Sequence, residues 1–236
     1  PLVIGLYFYK KHPPLTQAIL LGMIFITLVG LYFSYTRAAW LSIVAAIGVF
    51  FLIHFKIKFQ WILTTVVVAG GILLASWTQI TQLLERNKEE HTTENFGEKL
   101  QSATNVSTDA SNLERLNRWQ CAIDMFNEKP LTGFGPGTYA FEYARFQRPE
   151  NLTIISTNFG DQGNAHSEYL GALAEMGIFG LLTFLAVVAA IFYQSITLYV
   201  KWPVEDKKNR VLIMSIILSL TTYFVHAFLN NYLDTD

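Results

Sequence analysis

The sequence predicts an all-α polytopic membrane protein, and three observations carry that prediction. First, 52% of the 236 residues are hydrophobic and only 15% are charged, where a soluble domain carries about 25% charged residues. Second, residues 15–33, 38–53, 59–79, 178–200 and 211–229 contain no Asp, Glu, Lys or Arg. Runs of about 20 apolar residues match the ~30 Å hydrocarbon core of a bilayer, so each is expected to be a transmembrane helix. Third, the polar residues gather in one block, 81–165, between the third and fourth runs. The same composition excludes a disordered chain. Cys121 is the only cysteine, which excludes a disulfide scaffold, and a net charge of -1 disfavours a nucleic-acid partner.

Taken in order, residues 2–9 form an apolar stub too short to span, closed by Lys10-Lys11. It reads as the tail of a further helix, and the chain as part of a longer polytopic protein. Three basic clusters follow the loops: Lys10 and Lys11, then Lys56 and Lys58, then Lys201, Lys207, Lys208 and Arg210. An alternating path puts all three on one side, which the positive-inside rule makes cytoplasmic. The turn between the first two spans, on the opposite face, holds only Arg37. The 81–165 block then lies outside the cytoplasm. Its first part, 85–109, is rich in Glu, Asn, Thr and Ser and is expected to be a mobile loop. Ser111-Asn112-Leu113-Glu114 fits a capping box with Ser111 as N-cap. Leu113, Leu116, Ile123 and Phe126 continue at helical spacing, and Lys129-Pro130 ends the helix. The charge-poor stretch 170–200 is too long for one span. Gly177 and Gly180 offer a break, so a short helix over 166–176 followed by the span is expected. The predicted division is three spans in 1–80, a loop domain in 81–165, and a short or re-entrant helix with two spans in 166–236.

Few residues in this chain carry chemistry. Arg37 sits at the outer end of two spans, either snorkelling to lipid phosphate or facing an outer cavity with a fork that suits a diphosphate. Arg115 and Trp119 are four residues apart on the capped helix and share one side, with Arg118 close by. His166 precedes an apolar helix, whose positive end favours a neutral imidazole able to accept a proton. If it titrates like an ordinary histidine, its activity falls below about pH 6.5. Glu175 is the one acid in the adjoining apolar stretch; it either orients a polar partner or sits neutral at the break. His226 and Asn230-Asn231 end the last span on the same outer side. The spacing of Gly133, Gly135 and Gly137 is not a dinucleotide fingerprint, and the five histidines lack metal-ligand spacing. No cofactor and no metal is expected.

These residues fall into three motifs that resemble the O-antigen ligase/polymerase superfamily, which comprises O-antigen ligases, O-antigen polymerases and protein O-oligosaccharyltransferases. Thr36-Arg37-Ala38-Ala39-Trp40-Leu41 is similar to its arginine motif at the top of a transmembrane helix. Arg115, Trp119 and Ala122, followed by Pro130-Leu131-Thr132-Gly133-Phe134-Gly135-Pro136-Gly137, are similar to its loop helix and glycine turn. His166-Ser167-Glu168-Tyr169-Leu170 with Glu175-Met176-Gly177 is similar to its histidine motif, with Ser167 where Asn is common.

The resemblance implies a GT-C-like helical bundle in the bacterial inner (cytoplasmic) membrane, with a large periplasmic loop and an active site facing the periplasm. It implies a metal-independent, inverting glycosyltransferase whose donor is a glycan on undecaprenyl diphosphate. The acceptor is a lipid A core sugar, a protein Ser/Thr or a growing O-antigen, and membrane lipids surround the enzyme. Arg37 and Arg115 would hold the diphosphate, His166 would be the base, and Trp119, Tyr169 and Glu175 would contact substrate; Arg118, outside the motif, is added as a substrate contact by its proximity alone. Two other readings compete: a transporter or channel for small anions whose arginines line the path, and an assembly subunit without catalysis.

Overall fold

The structure is a computed structural model that describes residues 1–34, 36–57, 110–149, 152, 156 and 163–231. The expected third span, 59–79, and the loop expected over 85–109 lie outside the described residues. All regular structure among the described residues is helical. The chain divides into two compact units, residues 1–55 with 181–232, and residues 56–180 with 233–236.

The first unit holds α1 (Leu2–Tyr9), α2 (Pro14–Phe33) and α3 (Arg37–His54). Pro14 starts α2 at a position where its missing N–H costs nothing and its fixed φ favours the turn. The 20 residues of α2 have a mean hydropathy of 2.0, long and apolar enough to cross a membrane. The apolar part of α3, Ala38–His54, is shorter than that measure; the whole helix, 18 residues from Arg37, rises ~27 Å. Ala38, Ser42 and Ala46 repeat every turn and are its buried residues. Small side chains at this spacing let α3 pack along α7 (Lys207–Ala227) at close range. Gly5 does the same for α1, since a β-carbon there would overlap the Ser215 side chain on α7.

α6 (Glu168–Lys201) is preceded in the second unit by α4 (Ala110–Glu128), the short α5 (Tyr139–Glu142) and a 3-10 turn, Tyr143–Phe146. The 34 residues of α6 would rise ~51 Å unbroken, well beyond a ~30 Å hydrocarbon core. The helix is interrupted at Gly177, whose φ of 66° and ψ of -163° are not helical. The break falls on the first of the two glycines expected to supply it, and Gly180 remains helical. Both α6 and α7 are long and apolar enough to cross a membrane. At their junction Asp206 caps α7 by accepting from the Asn209 N–H at 3.2 Å. Arg210 donates to the Tyr199 and Trp202 carbonyls at 2.9 and 3.0 Å, satisfying acceptors at the end of α6. The described chain is an all-α membrane protein.

The predicted capping box is corrected. α4 starts at Ala110, so Ser111 lies inside its first turn. Glu114, expected to reach back toward the cap, instead pairs with Arg118 one turn on, at 2.8 Å. A charge-assisted hydrogen bond is roughly twice as strong as a neutral one.

Candidate functional site

The second unit is organised by one face of α4. Cys121, Ala122 and Met125 are buried with Tyr139, Tyr143, Ala165 and Ala174. Tyr139 and Tyr143 stack with ring centroids 5.4 Å apart. The Tyr139 hydroxyl donates to the Arg118 carbonyl at 2.7 Å. Burial raises the pKa of two members of this core: Tyr139 lies well above its usual value, and the Cys121 thiol is pushed up to about 12. Both stay neutral at physiological pH, so the core carries no reactive anion.

The glycine turn after α4 clamps the break in α6. Phe134 N–H donates to the Ala174 carbonyl at 3.2 Å, Gly135 N–H to the Glu175 carbonyl at 2.8 Å, and Ile178 N–H to the Pro130 carbonyl at 2.8 Å. Gly133 (φ 63°) and Gly177 (φ 66°) occupy left-handed conformations. A β-carbon on Gly133 would lie 2.3 Å from the Glu175 backbone, and one on Gly177 would lie 2.5 Å from that of Leu131. The Glu175 carboxylate accepts from the Gly137 N–H at 3.0 Å and the Tyr139 N–H at 2.9 Å. Of the two roles open for Glu175 in the sequence, the structure therefore gives it polar partners within the chain: the amides of Gly137 in the turn and of Tyr139 at the start of α5 each donate to one of its carboxylate oxygens.

Ahead of α6 the chain passes through His166. Its φ of 48° lies in the left-handed region, which costs a residue with a β-carbon ~1–2 kcal/mol. Such a conformation persists only where neighbours over-determine it. They do so here. Asn164 Oδ1 accepts from the His166 N–H at 3.0 Å, and Trp119 Nε1 donates to the His166 carbonyl at 3.4 Å. Arg118 Nη1 donates to the Asn164 carbonyl at 3.1 Å. Ser167 is fully buried at the N-cap of α6, with its Oγ 3.4 Å from the Leu170 N–H. Tyr169 lies half-buried in the first turn of α6.

The His166 imidazole is half-buried and its pKa is lowered from 6.5 to about 4. Burial is the main cause, followed by the nearby charges of Arg118 and Arg115, with Glu114 opposing. The expectation of ordinary titration near 6.5 is therefore corrected, and the neutral form persists far into the acid range. The helix end invoked from the sequence is not the principal cause; desolvation and two guanidinium groups are.

The structure thus brings Arg115, Arg118, Trp119 and His166 together in one unit. Arg118 is 6% exposed, its Nε pairs with Glu114, and its guanidinium lies 5.1 Å above the Tyr143 ring. Glu114 in turn bonds the Ser156 hydroxyl. Arg37 belongs to the other compact unit, where it opens α3; its side chain falls outside the described residues. In that unit His226 Nε2 and Asn230 Nδ2 are 2.8 Å apart at the end of α7. Among the described residues no three His, Cys, Asp or Glu side chains group so as to hold a metal ion. Sequence reasoning missed Asn164, although its place two residues before His166 is the spacing at which an Asn side chain bonds a backbone N–H. It also missed Tyr139 and Tyr143, whose burial depends on contacts distant in the chain.

This arrangement can accept a proton at a neutral imidazole and hold an anion beside a guanidinium. No curated protein and no solved structure matches the chain at a significant level. The family model described as O-antigen ligase matches residues 22–185, a stretch that begins within α2 and ends beyond the α6 break. With more than half its length matched, the chain belongs to the O-antigen ligase family, membrane proteins with glycosyltransferase activity of the ligase/polymerase type.

Proposed function

We propose that the protein is a metal-independent, inverting glycosyltransferase that moves a glycan from undecaprenyl diphosphate to a hydroxyl group at the periplasmic face of the bacterial inner membrane. The acceptor oxygen attacks the anomeric carbon while the bond from that carbon to the diphosphate oxygen breaks. His166 takes the hydroxyl proton, and undecaprenyl diphosphate leaves with the bonding pair. Arg37 and Arg115 hold the diphosphate and offset the charge it gains. Trp119 and Tyr169 line the glycan side. The acceptor is a lipid A core sugar, a protein Ser/Thr or the growing O-antigen. Basic clusters at Lys10-Lys11, Lys56-Lys58 and 201–210 set the orientation, with the 81–165 domain on the opposite side.

The observation that carries this reading is the half-buried imidazole of His166, kept neutral by its burial first and then by the charges of Arg118 and Arg115. A base that stays unprotonated next to an anion-binding cation is what acceptor activation against a diphosphate leaving group requires. The test is transfer of a labelled glycan from undecaprenyl diphosphate in vesicles containing Arg37→Ala, Arg115→Ala or His166→Ala. Loss of ~10²-fold or more in each is expected. Transfer that survives all three changes would overturn the reading and leave an anion pathway as the better account.

A further inference from the structure

The neighbours of His166 form a connected chain that ends in the core of the unit. Tyr139 donates to the Arg118 carbonyl, and Tyr143, stacked on Tyr139, lies under the Arg118 guanidinium. Arg118 Nε is held by Glu114 Oε1 at 2.8 Å, while Arg118 Nη1 reaches the Asn164 carbonyl at 3.1 Å. Asn164 then passes the constraint on: its Oδ1 takes the N–H of His166 at 3.0 Å. Gly163 completes the fit, because a β-carbon there would lie 2.3 Å from the Tyr143 ring and 2.7 Å from Arg118 Nη1. Each member is used. The Arg118 charge is countered by a carboxylate that is itself buried, and two of its guanidinium nitrogens serve the protein's own groups.

We propose that Asn164, with the Glu114–Arg118 pair behind it, positions His166 for proton transfer, so that Arg118 orients the base rather than binding the donor. This rests on the reading of His166 as the base. The backbone of His166 is held in a left-handed conformation by bonds on both sides of the residue. Removing the Asn164 acceptor releases the N–H side, and the residue relaxes toward ordinary backbone angles. The imidazole then swings away from the acceptor hydroxyl. Misplacement on the scale of 1 Å lowers a chemical step by about 10²-fold without altering how substrate binds.

The experiment is a graded series at Asn164 in the full chain, reconstituted in vesicles with labelled lipid-diphosphate glycan and assayed at pH 8. Asn164→Asp keeps the Oδ1 acceptor, Asn164→Ser keeps a shorter one, and Asn164→Ala has none. The expected order of kcat is Asp, then Ser, then Ala, with Ala down about 10- to 100-fold and donor KM within about twofold throughout. In Asn164→Asp the new carboxylate joins Glu114 in favouring the imidazolium against Arg115 and Arg118. The acid limb of the rate profile therefore moves to higher pH. Gly163→Ala, which displaces Arg118 from the other side, lowers kcat in the same way. Native kcat in Asn164→Ala, equal kcat in the Asp and Ser variants, or a rise in donor KM with kcat intact overturns the proposal. His166→Ala separates the two levels. If it abolishes transfer while the Asn164 series is flat, only the positioning role falls; if it retains transfer, the base reading falls.

Discussion

His166 is unusual twice over, in its left-handed backbone and in its depressed pKa, and both have the same origin in the packing around α4. The consequence for pH follows from the sign of the shift. A base works in its neutral form, and burial with two nearby guanidinium groups lowers the value to about 4. The transfer rate is therefore expected to stay level between pH 7 and pH 5 and to fall as pH drops through about 4. Initial rates in vesicles, with return to pH 7 to confirm recovery, measure this; a half-point near 6.5 would show an imidazole in ordinary solvent. Stability runs in the same direction. The unfolded chain takes up this proton near 6.5, so the native state loses support as pH falls from there toward the folded value. The sequence makes His166, Arg115 and Trp119 legible as candidates through spacing and motif. It does not make the shifted titration legible, because that depends on Arg118 and Glu114 meeting the 163–166 segment across more than 40 residues of chain. It also leaves Arg118 ambiguous, since a buried paired arginine and a ligand-binding one look alike in sequence.

At the scale of elements, the controlling feature is the joint between the 130–137 turn and the break in α6. Three backbone bonds and the Glu175 carboxylate close it, and two glycines with positive φ let the strands of backbone touch. Gly133→Ala and Gly177→Ala each place a methyl group inside a neighbouring backbone and impose a left-handed conformation on an L-residue, which costs ~1–2 kcal/mol before any overlap is counted. Both variants are expected to lower the melting temperature of detergent-solubilised protein by several degrees or to fail to accumulate. Gly137→Ala, with φ 73° but open space around its would-be β-carbon, should be milder. Equal melting temperatures for all three would show that contact across the joint contributes nothing. The position of the break was legible because 34 helical residues exceed a bilayer and glycine is where a helix gives way. The capping box was misread, because the pattern Ser-x-x-Glu cannot reveal that an arginine one turn on will capture the glutamate.

Across the whole molecule, the apolar runs announce the class of protein, and among the described residues three helices have the length and hydropathy to cross a membrane. Many large apolar side chains on them, such as Phe25, Ile26, Tyr193 and Ile216, are exposed, as lipid-facing surfaces are in a bilayer protein. The proposed reaction needs no metal, because a lipid diphosphate is already a good leaving group and the countercharge comes from guanidinium groups. Transfer in vesicles is accordingly expected to be unchanged by EDTA; activity lost on chelation and restored by a divalent ion would contradict that mechanism. Mass spectrometry of the cell envelope after gene deletion would identify the acceptor by which class of molecule loses sugar.

One more property follows from the burial of Cys121. Its thiol is enclosed in the α4 core and, at about 12, is almost wholly protonated at neutral pH, whereas maleimide and methanethiosulfonate reagents need an accessible thiolate. Over these 236 residues the native sequence is therefore expected to leave such reagents unreacted while it is folded. A single cysteine introduced on an exposed loop can carry a fluorophore or spin label without first removing Cys121 and opening a hole beside Tyr139.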